Sequence, residues 1–329
     1  MPSRVLAFRP ASVQHRLPPR SGACPLSLRD ILAAAPEVKL PSIEAGTPEL
    51  IRAALVAAKV LHSAVGLSLP DGLQPEPWFD SVARTADEIA VGLPIFLTAA
   101  VSLDGESTVA VERGTREVWR LIEAGLTHLV VDAGGVSPEE RGRVLAEVAA
   151  PLQERALGFD CAIGLGEQGA GRRALALLEE LVRRGVPADA LSVRCPPVAD
   201  AESARTQLGA LDRFCEAVHG VPVLRRGPIA AELVAALAGS RIRGCADGGA
   251  AAAASAARRV QGQADEPAPE PDRRARWRDR AVAALGRAEA EKLEAYAFLA
   301  AADFIEALGA EQSASAVARG LERLSEDRA

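Results

Sequence analysis

Eight short apolar runs recur along the chain, each followed by a longer stretch in which apolar and polar residues alternate at helical spacing. The runs are Val38 to Ile43, Ala64 to Leu69, Pro94 to Val101, His128 to Ala133, Phe159 to Leu165, Leu191 to Cys195, Val221 to Arg226 and Arg241 to Ala246. None shows the strict apolar–polar alternation of a half-exposed strand, as expected of parallel strands covered on both faces. Their starts lie 20–34 residues apart, the length of one strand–helix unit. The pattern predicts an α/β fold: a (β/α)8 TIM barrel over residues 37–260 with a C-terminal helical extension.

Local signals agree with this reading. Thr47-Pro48-Glu49 offers a capping hydroxyl, a proline for the first helical position and an acid in the first turn. Ser137 and Glu140 have the spacing of a capping box. Gly125, Gly158, Gly185 and Gly220 fall between a helix and the next strand, where a left-handed residue is wanted. Residues 261–276, rich in Pro, Gln and acids at their start, read as a linker to C-terminal helices over 277–329. There Val282, Leu285, Leu293, Tyr296, Leu299, Phe304 and Leu308 recur at roughly helical spacing. Such a stripe must cover its own barrel or a partner subunit, so a homo-oligomer built through these helices is expected. Residues 1–36 carry Arg4, Arg9, Arg16, Arg20 and Arg29 with no acid before Asp30. They read as a loosely ordered tail, with an organellar transit peptide as the alternative.

Composition narrows the classes of function. A net charge of −6 and 3% aromatic residues argue against a nucleic-acid partner. No apolar run approaches the ~18 residues of a membrane span. The five cysteines are odd in number and make no C-x-x-C, which argues against a disulfide framework or structural zinc and for a reducing, cytoplasmic setting.

In such barrels chemistry sits at the C-terminal ends of the strands. His62, His128 and His219 all fall at strand starts, and His15 lies in the N-terminal segment. The rim instead mixes acids and arginines: Glu44, Asp71, Asp104, Glu106, Asp132, Glu167, Arg194, Arg225, Arg226 and Asp247. No lysine falls there, so a Schiff-base mechanism has no amine. Asp104, Glu106, Asp132 and Glu167 are the candidates for general acid or base. Asp104, Asp132 and Asp247 also make an all-oxygen magnesium site conceivable, and Cys195 and Cys245 are the remaining soft donors. The strongest ligand signal is for an anion. Arg225-Arg226-Gly227 ends the seventh strand, and Asp247-Gly248-Gly249 follows the eighth and opens a helix, where barrels commonly bind phosphate. A phosphorylated small molecule is the expected ligand.

Several segments resemble class II ketose-bisphosphate (fructose- and tagatose-bisphosphate) aldolases. They are PELIRAALVAAKVLHSAVGLS up to Ser68, EAGLTHLVVDAG from Glu123 to Gly134 with its Asp132, the stretch from Pro138 to Gly169, and GVPVLRRGPI from Gly220 to Ile229. Similarity extends over roughly residues 38–260 and rests on order and spacing. The resemblance implies a phosphosugar-binding barrel with histidine-bound zinc. The departures fall on the family's catalytic positions. Where the family ends its third strand with His-x-Asp-His, this chain has Thr98-Ala99-Ala100-Val101. The family's fifth-strand glutamate falls at Gly164, its sixth-strand histidine has no counterpart from Arg194 to Pro197, and its seventh-strand histidine aligns with Arg225. Zinc is expected from the family and its ligands are absent, so the expected cofactor is none. The leading expectation is a divergent member that has lost zinc-dependent aldol cleavage and acts as a phosphosugar-binding or partner subunit. The alternatives are an active lyase that uses rim acids and arginines, and a structural assembly protein.

Overall fold

The computed structural model describes residues 4–166, 169–196, 201–227, 229, 231–246 and 287–327. Eight parallel strands close into a barrel: β1 (Leu40–Glu44), β2 (Val65–Ser68), β3 (Pro94–Asp104), β4 (His128–Gly135), β5 (Gly158–Gly164), β6 (Ala190–Arg194), β7 (Val223–Arg226) and β8 (Gly244–Ala246). Each pairs with its sequence neighbour, and β8 returns to β1 through Leu40 opposite Gly244. Helices α1 (Ala11–Arg16) and α2 (Leu28–Ala34) precede the barrel. Helices α3 (Pro48–Val60), α4 (Pro75–Ile89), α5 (Ser107–Glu123), α6 (Arg141–Glu154), α7 (Ala170–Arg183), α8 (Ala201–Ala217) and α9 (Ala231–Ala238) follow successive strands, and α10 (Arg287–Leu308) and α11 (Ser313–Asp327) end the chain. The predicted TIM barrel is therefore the observed fold. Among the described residues no helix is long and apolar enough to cross a membrane.

The local signals hold in part. Thr47 Oγ1 accepts from the Leu50 amide at 3.4 Å, with Pro48 opening α3. The capping box at Ser137 does not form: the Glu140 carboxylate accepts from the Ser107 hydroxyl and from Arg143 instead. Gly125, Gly185 and Gly220 take positive φ as expected, but before β5 that conformation falls on Ala156 (φ 55°). Gly158 serves a different end. It starts β5, and a Cβ there would lie 3.2 Å from the Arg29 backbone nitrogen, so its bareness lets α2 pass close beneath the strand.

That contact exposes a misreading of the N-terminal segment, which is no loose tail from Arg4 onward. Leu26, Leu28 and Ile31 are fully buried against Leu40, Phe96, Ala190 and Leu224. Cys24–Pro25 pairs with Pro94–Ile95 beside the start of β3, and Ser27 Oγ accepts from the Gly158 amide at 3.0 Å. A barrel interior filled by apolar side chains cannot leave its N-terminal end open to water, and this segment supplies the cover. Its apolar residues are interspersed with Pro and Arg, which is why no clear periodicity marked them.

The stripe on α10 is spent within the chain. Leu293, Ala297, Ala301, Phe304, Ile305 and Leu308 are buried, and the helix lies against α3 and α9. Arg52 on α3 reaches Glu294 at 3.2 Å, and Ser313 Oγ accepts from the Ala64 amide at 2.9 Å. Tyr296 and Leu299, counted in the expected stripe, lie on the outer face. Val282 and Leu285, like the linker, lie outside the described residues.

Two stability predictions follow from this packing. Across the barrel floor the Phe96 ring lies directly over Gly66, where a Cβ would strike the ring and sit 2.8 Å from Ser42 Oγ. Gly66→Ala is expected to cost about 1–3 kcal/mol in urea denaturation through overpacking, and Phe96→Leu in the same chain should restore part of it. Phe304→Ala is expected to cost about 3–5 kcal/mol in the same measurement; an unchanged midpoint would contradict the docking of α10 on its own barrel.

Candidate functional site

Alternation along the barrel strands decides which rim residues enter the interior. On β7 the two arginines part company. Arg226 Nε donates to Ser192 Oγ on β6 at 3.1 Å, and Nη2 to Thr98 Oγ1 on β3 at 3.4 Å. A side chain on β7 reaches one on β3, four strands away round the ring, only through the barrel interior. Arg226 therefore lies across the axis. Arg225 must then face the helix layer, and it does. It is fully buried, with Nε and Nη2 donating to Gln207 Oε1 on α8 (3.4 and 3.2 Å) and Nη1 to the Gly227 carbonyl (2.5 Å).

The residues expected to form an anion site at the end of β7 are therefore differently placed. Arg225 is a structural tie between β7 and α8, sealed from the mouth by burial. Gly227 (φ 110°) is required by the turn itself, since a Cβ there would lie 2.6 Å from the Cys195 carbonyl. Only Arg226 of that trio reaches the interior. Asp247, Gly248 and Gly249 lie outside the described residues, as does Glu167.

Below Arg226 runs a polar layer that the sequence reading missed. Ser192 Oγ donates to Asp160 Oδ2 at 2.8 Å, and Asp160 Oδ1 lies 3.1 Å from His128 Nε2. Thr98, His128, Asp160 and Ser192 are all buried. A lone buried carboxylate would be costly. Here Ser192, itself held by Arg226, donates to one carboxylate oxygen, while Asp160 Oδ1 and both ring nitrogens of His128 are buried without a hydrogen bond. His128 starts β4, so the imidazole belongs to the sealed N-terminal half, as the placement of the histidines implied.

At the mouth Asp132 and Arg194 form the central contact. Arg194 Nη1 lies 2.5 Å from Asp132 Oδ2, while the Gly134 amide donates to Asp132 Oδ1 at 2.9 Å. Asp132 is 15% exposed and Arg194 53%, so the acid is enclosed and the guanidinium open. A Cβ at Gly134 would sit tightly, 3.1 Å from Asp132 Oδ1 and 3.2 Å from Arg194 Nη2. The other acids are differently placed. β3 runs past its expected end at Val101, with a register shift between Ser102 and Asp104. Asp104 therefore ends the strand, 72% exposed, with Arg113 3.5 Å away. Glu106 is exposed just before α5. Neither is enclosed beside Asp132.

The zinc that the aldolase resemblance implies meets a donor set that does not suit it. Ala100, exposed at the mouth, and Val101, buried, stand where a carboxylate and an imidazole are needed. Both Asp132 oxygens are committed, one of them to a guanidinium in a cation's position. Burial pushes the Cys195 thiol up to about 11, against the opposing pull of Arg225, so it is not a ready thiolate. Cys245 is buried too. Among the described residues no three His, Cys, Asp or Glu side chains converge as a metal site would require.

No protein-family model matches the sequence, and no curated protein does. Solved structures do resemble the fold. The YdjI aldolase from Escherichia coli K12 aligns with a TM-score of 0.57 at 15% identity over 86% of this chain and 97% of its own. A fructose-bisphosphate aldolase from Campylobacter jejuni gives 0.56 at 13% identity over 87% and 94%. A probable tagatose 6-phosphate kinase from Sinorhizobium meliloti 1021 gives 0.53 at 14% over 88% and 98%. At these identities the likeness is one of fold alone: the chain shares the (β/α)8 barrel of these structures.

Proposed function

We propose that this protein binds a phosphorylated sugar, or a similar anionic small molecule, at the C-terminal mouth of its barrel and has lost zinc-dependent aldol cleavage. The observation that carries the reading is the Asp132–Arg194 pair. It sets a fixed guanidinium at the mouth of an aldolase-like barrel, above a second guanidinium, Arg226, held across the axis. Guanidinium groups are well matched to phosphate and carboxylate oxygens. They supply neither the proton transfer nor the metal-bound oxyanion stabilisation of a zinc aldolase. The protein would then act as a cytoplasmic binding or partner subunit, as a homo-oligomer or beside a catalytic chain. The alternative, a lyase working through rim acids, gains little support from Asp104 and Glu106, which are solvated rather than enclosed.

Fructose 1,6-bisphosphate is a suitable probe in titration calorimetry. Saturable binding is expected, weakened at least tenfold in Arg226→Met; its thermal midpoint falls, because Arg226 ties β7 to β6 and β3, while far-UV circular dichroism shows the barrel still folded. Absence of binding at millimolar probe, or equal binding by the variant, would overturn the assignment.

A further inference from the structure

His128 and Asp160 meet inside the barrel with one side of their contact unanswered. Their side chains are 1% and 0% exposed, and Asp160 Oδ1 lies 3.1 Å from His128 Nε2. Neither that oxygen nor either ring nitrogen has a hydrogen bond, while Asp160 Oδ2 accepts from Ser192 Oγ at 2.8 Å. Register sets the place of the ring: His128 on β4 lies opposite Thr98 on β3 and Gly158 on β5. Thr98 and Ser192 are the two hydroxyls to which Arg226 donates. The imidazole therefore sits at the foot of the layer that holds Arg226.

The charged groups around the ring come from several elements. Asp160 faces it from β5, and Arg226 on β7 is one serine further away. Asp189, just before β6, accepts from the Phe159 amide at 3.0 Å. Burial holds the Asp189 carboxyl above the ordinary carboxylate range, against the pull of that amide, of His128 and of Arg29 on α2. Arg226 Nε, the Ser192 hydroxyl and the Asp160 carboxylate form a chain in which each donor points at the next acceptor. Bonds in such a chain polarise one another, so the first depends on the charge at the last. Beside a neutral imidazole, the charge of Asp160 acts on Ser192 and makes its Oγ a strong acceptor for Arg226. An imidazolium instead donates from Nε2 to Oδ1 in a charge-assisted bond. Asp160 then pulls less on Ser192, and the bond from Arg226 weakens.

We infer that His128 and Asp160 form a proton-operated switch beneath the mouth: a proton taken up by His128 draws Asp160 into an ion pair and loosens Arg226 from Ser192, and its loss tightens the chain again. The proton comes from solvent, and the only covalent bond made or broken is one ring N–H. The contact of Arg226 with Thr98 does not pass through Asp160, so it holds the side chain across the axis in both states. The inference goes beyond the proposed function, because it concerns the chain without any ligand. Only its consequence, that acidity alters the guanidinium offered at the mouth, rests on that reading.

Nitrogen-15 NMR of the full chain without ligand tests it, from about pH 5 to about pH 8, the span in which an imidazole ordinarily changes charge. The ring nitrogens of His128 are expected to pass from the imidazolium to the neutral pattern as pH rises. The Arg226 Nε–H proton should move to lower field in step with them, as its bond to Ser192 strengthens. His128→Gln should abolish that movement. Ser192→Ala should leave the change of charge at His128 and remove most of the response at Arg226, which separates relay through the chain from a local field. The inference is overturned if His128 keeps one charge throughout, if Arg226 does not follow it, or if Arg226 follows it equally in Ser192→Ala. The titration of the unmodified chain decides the first two outcomes even where a variant fails to fold. Failure of fructose 1,6-bisphosphate to bind would remove the mouth reading and leave this switch to be judged by the NMR alone.

Discussion

A parallel barrel has no room for an unanswered charge in its interior, and the side chain of Arg226 lies across the axis of this one. Its hydrogen bonds to Ser192 and Thr98 tie β7 to β6 and β3 through the core. Ser192 passes the contact on to Asp160, and Asp160 sits beside His128. The layer divides the barrel in two. Beneath it, Phe96, Leu40 and Leu224 pack on the N-terminal segment as an apolar plug. Above it, the interior opens into a mouth set by Asp132 and Arg194. Arg226 and Ser192 are answered within the layer, while Asp160 Oδ1 and the His128 ring nitrogens are not hydrogen-bonded, and the mouth is built on top of that layer.

The same alternation explains what the sequence disclosed and what it withheld. The barrel was legible because strands buried on both faces write themselves as short Val-, Ile- and Leu-rich runs, and because signals such as Thr47-Pro48 and Gly125 punctuate the helices between them. That double burial also erases the inside–outside pattern. Nothing in Val223-Leu224-Arg225-Arg226 marks which arginine faces the axis. The rim acids show a related limit. Asp132 and Asp104 look alike in sequence, yet three more residues of β3 carry Asp104 out to solvent while Gly134 and Arg194 enclose Asp132.

These placements separate the scaffold from its chemistry. The strands, the helices and the order in which they close are those of aldolase-like barrels. The groups at the mouth of this barrel are Ala100 on β3, an arginine ending β6, and another entering from β7. These guanidinium groups are held by a carboxylate and by hydroxyls. On the proposed reading, a barrel so furnished would retain an anion rather than ionise a carbon acid.

The most direct measurement of that claim is zinc content combined with turnover. The purified chain is loaded with excess zinc, desalted, analysed for metal, and assayed for cleavage of fructose 1,6-bisphosphate. The account predicts far less than one zinc per chain and no cleavage above the zinc-free control. Stoichiometric zinc with turnover would contradict it.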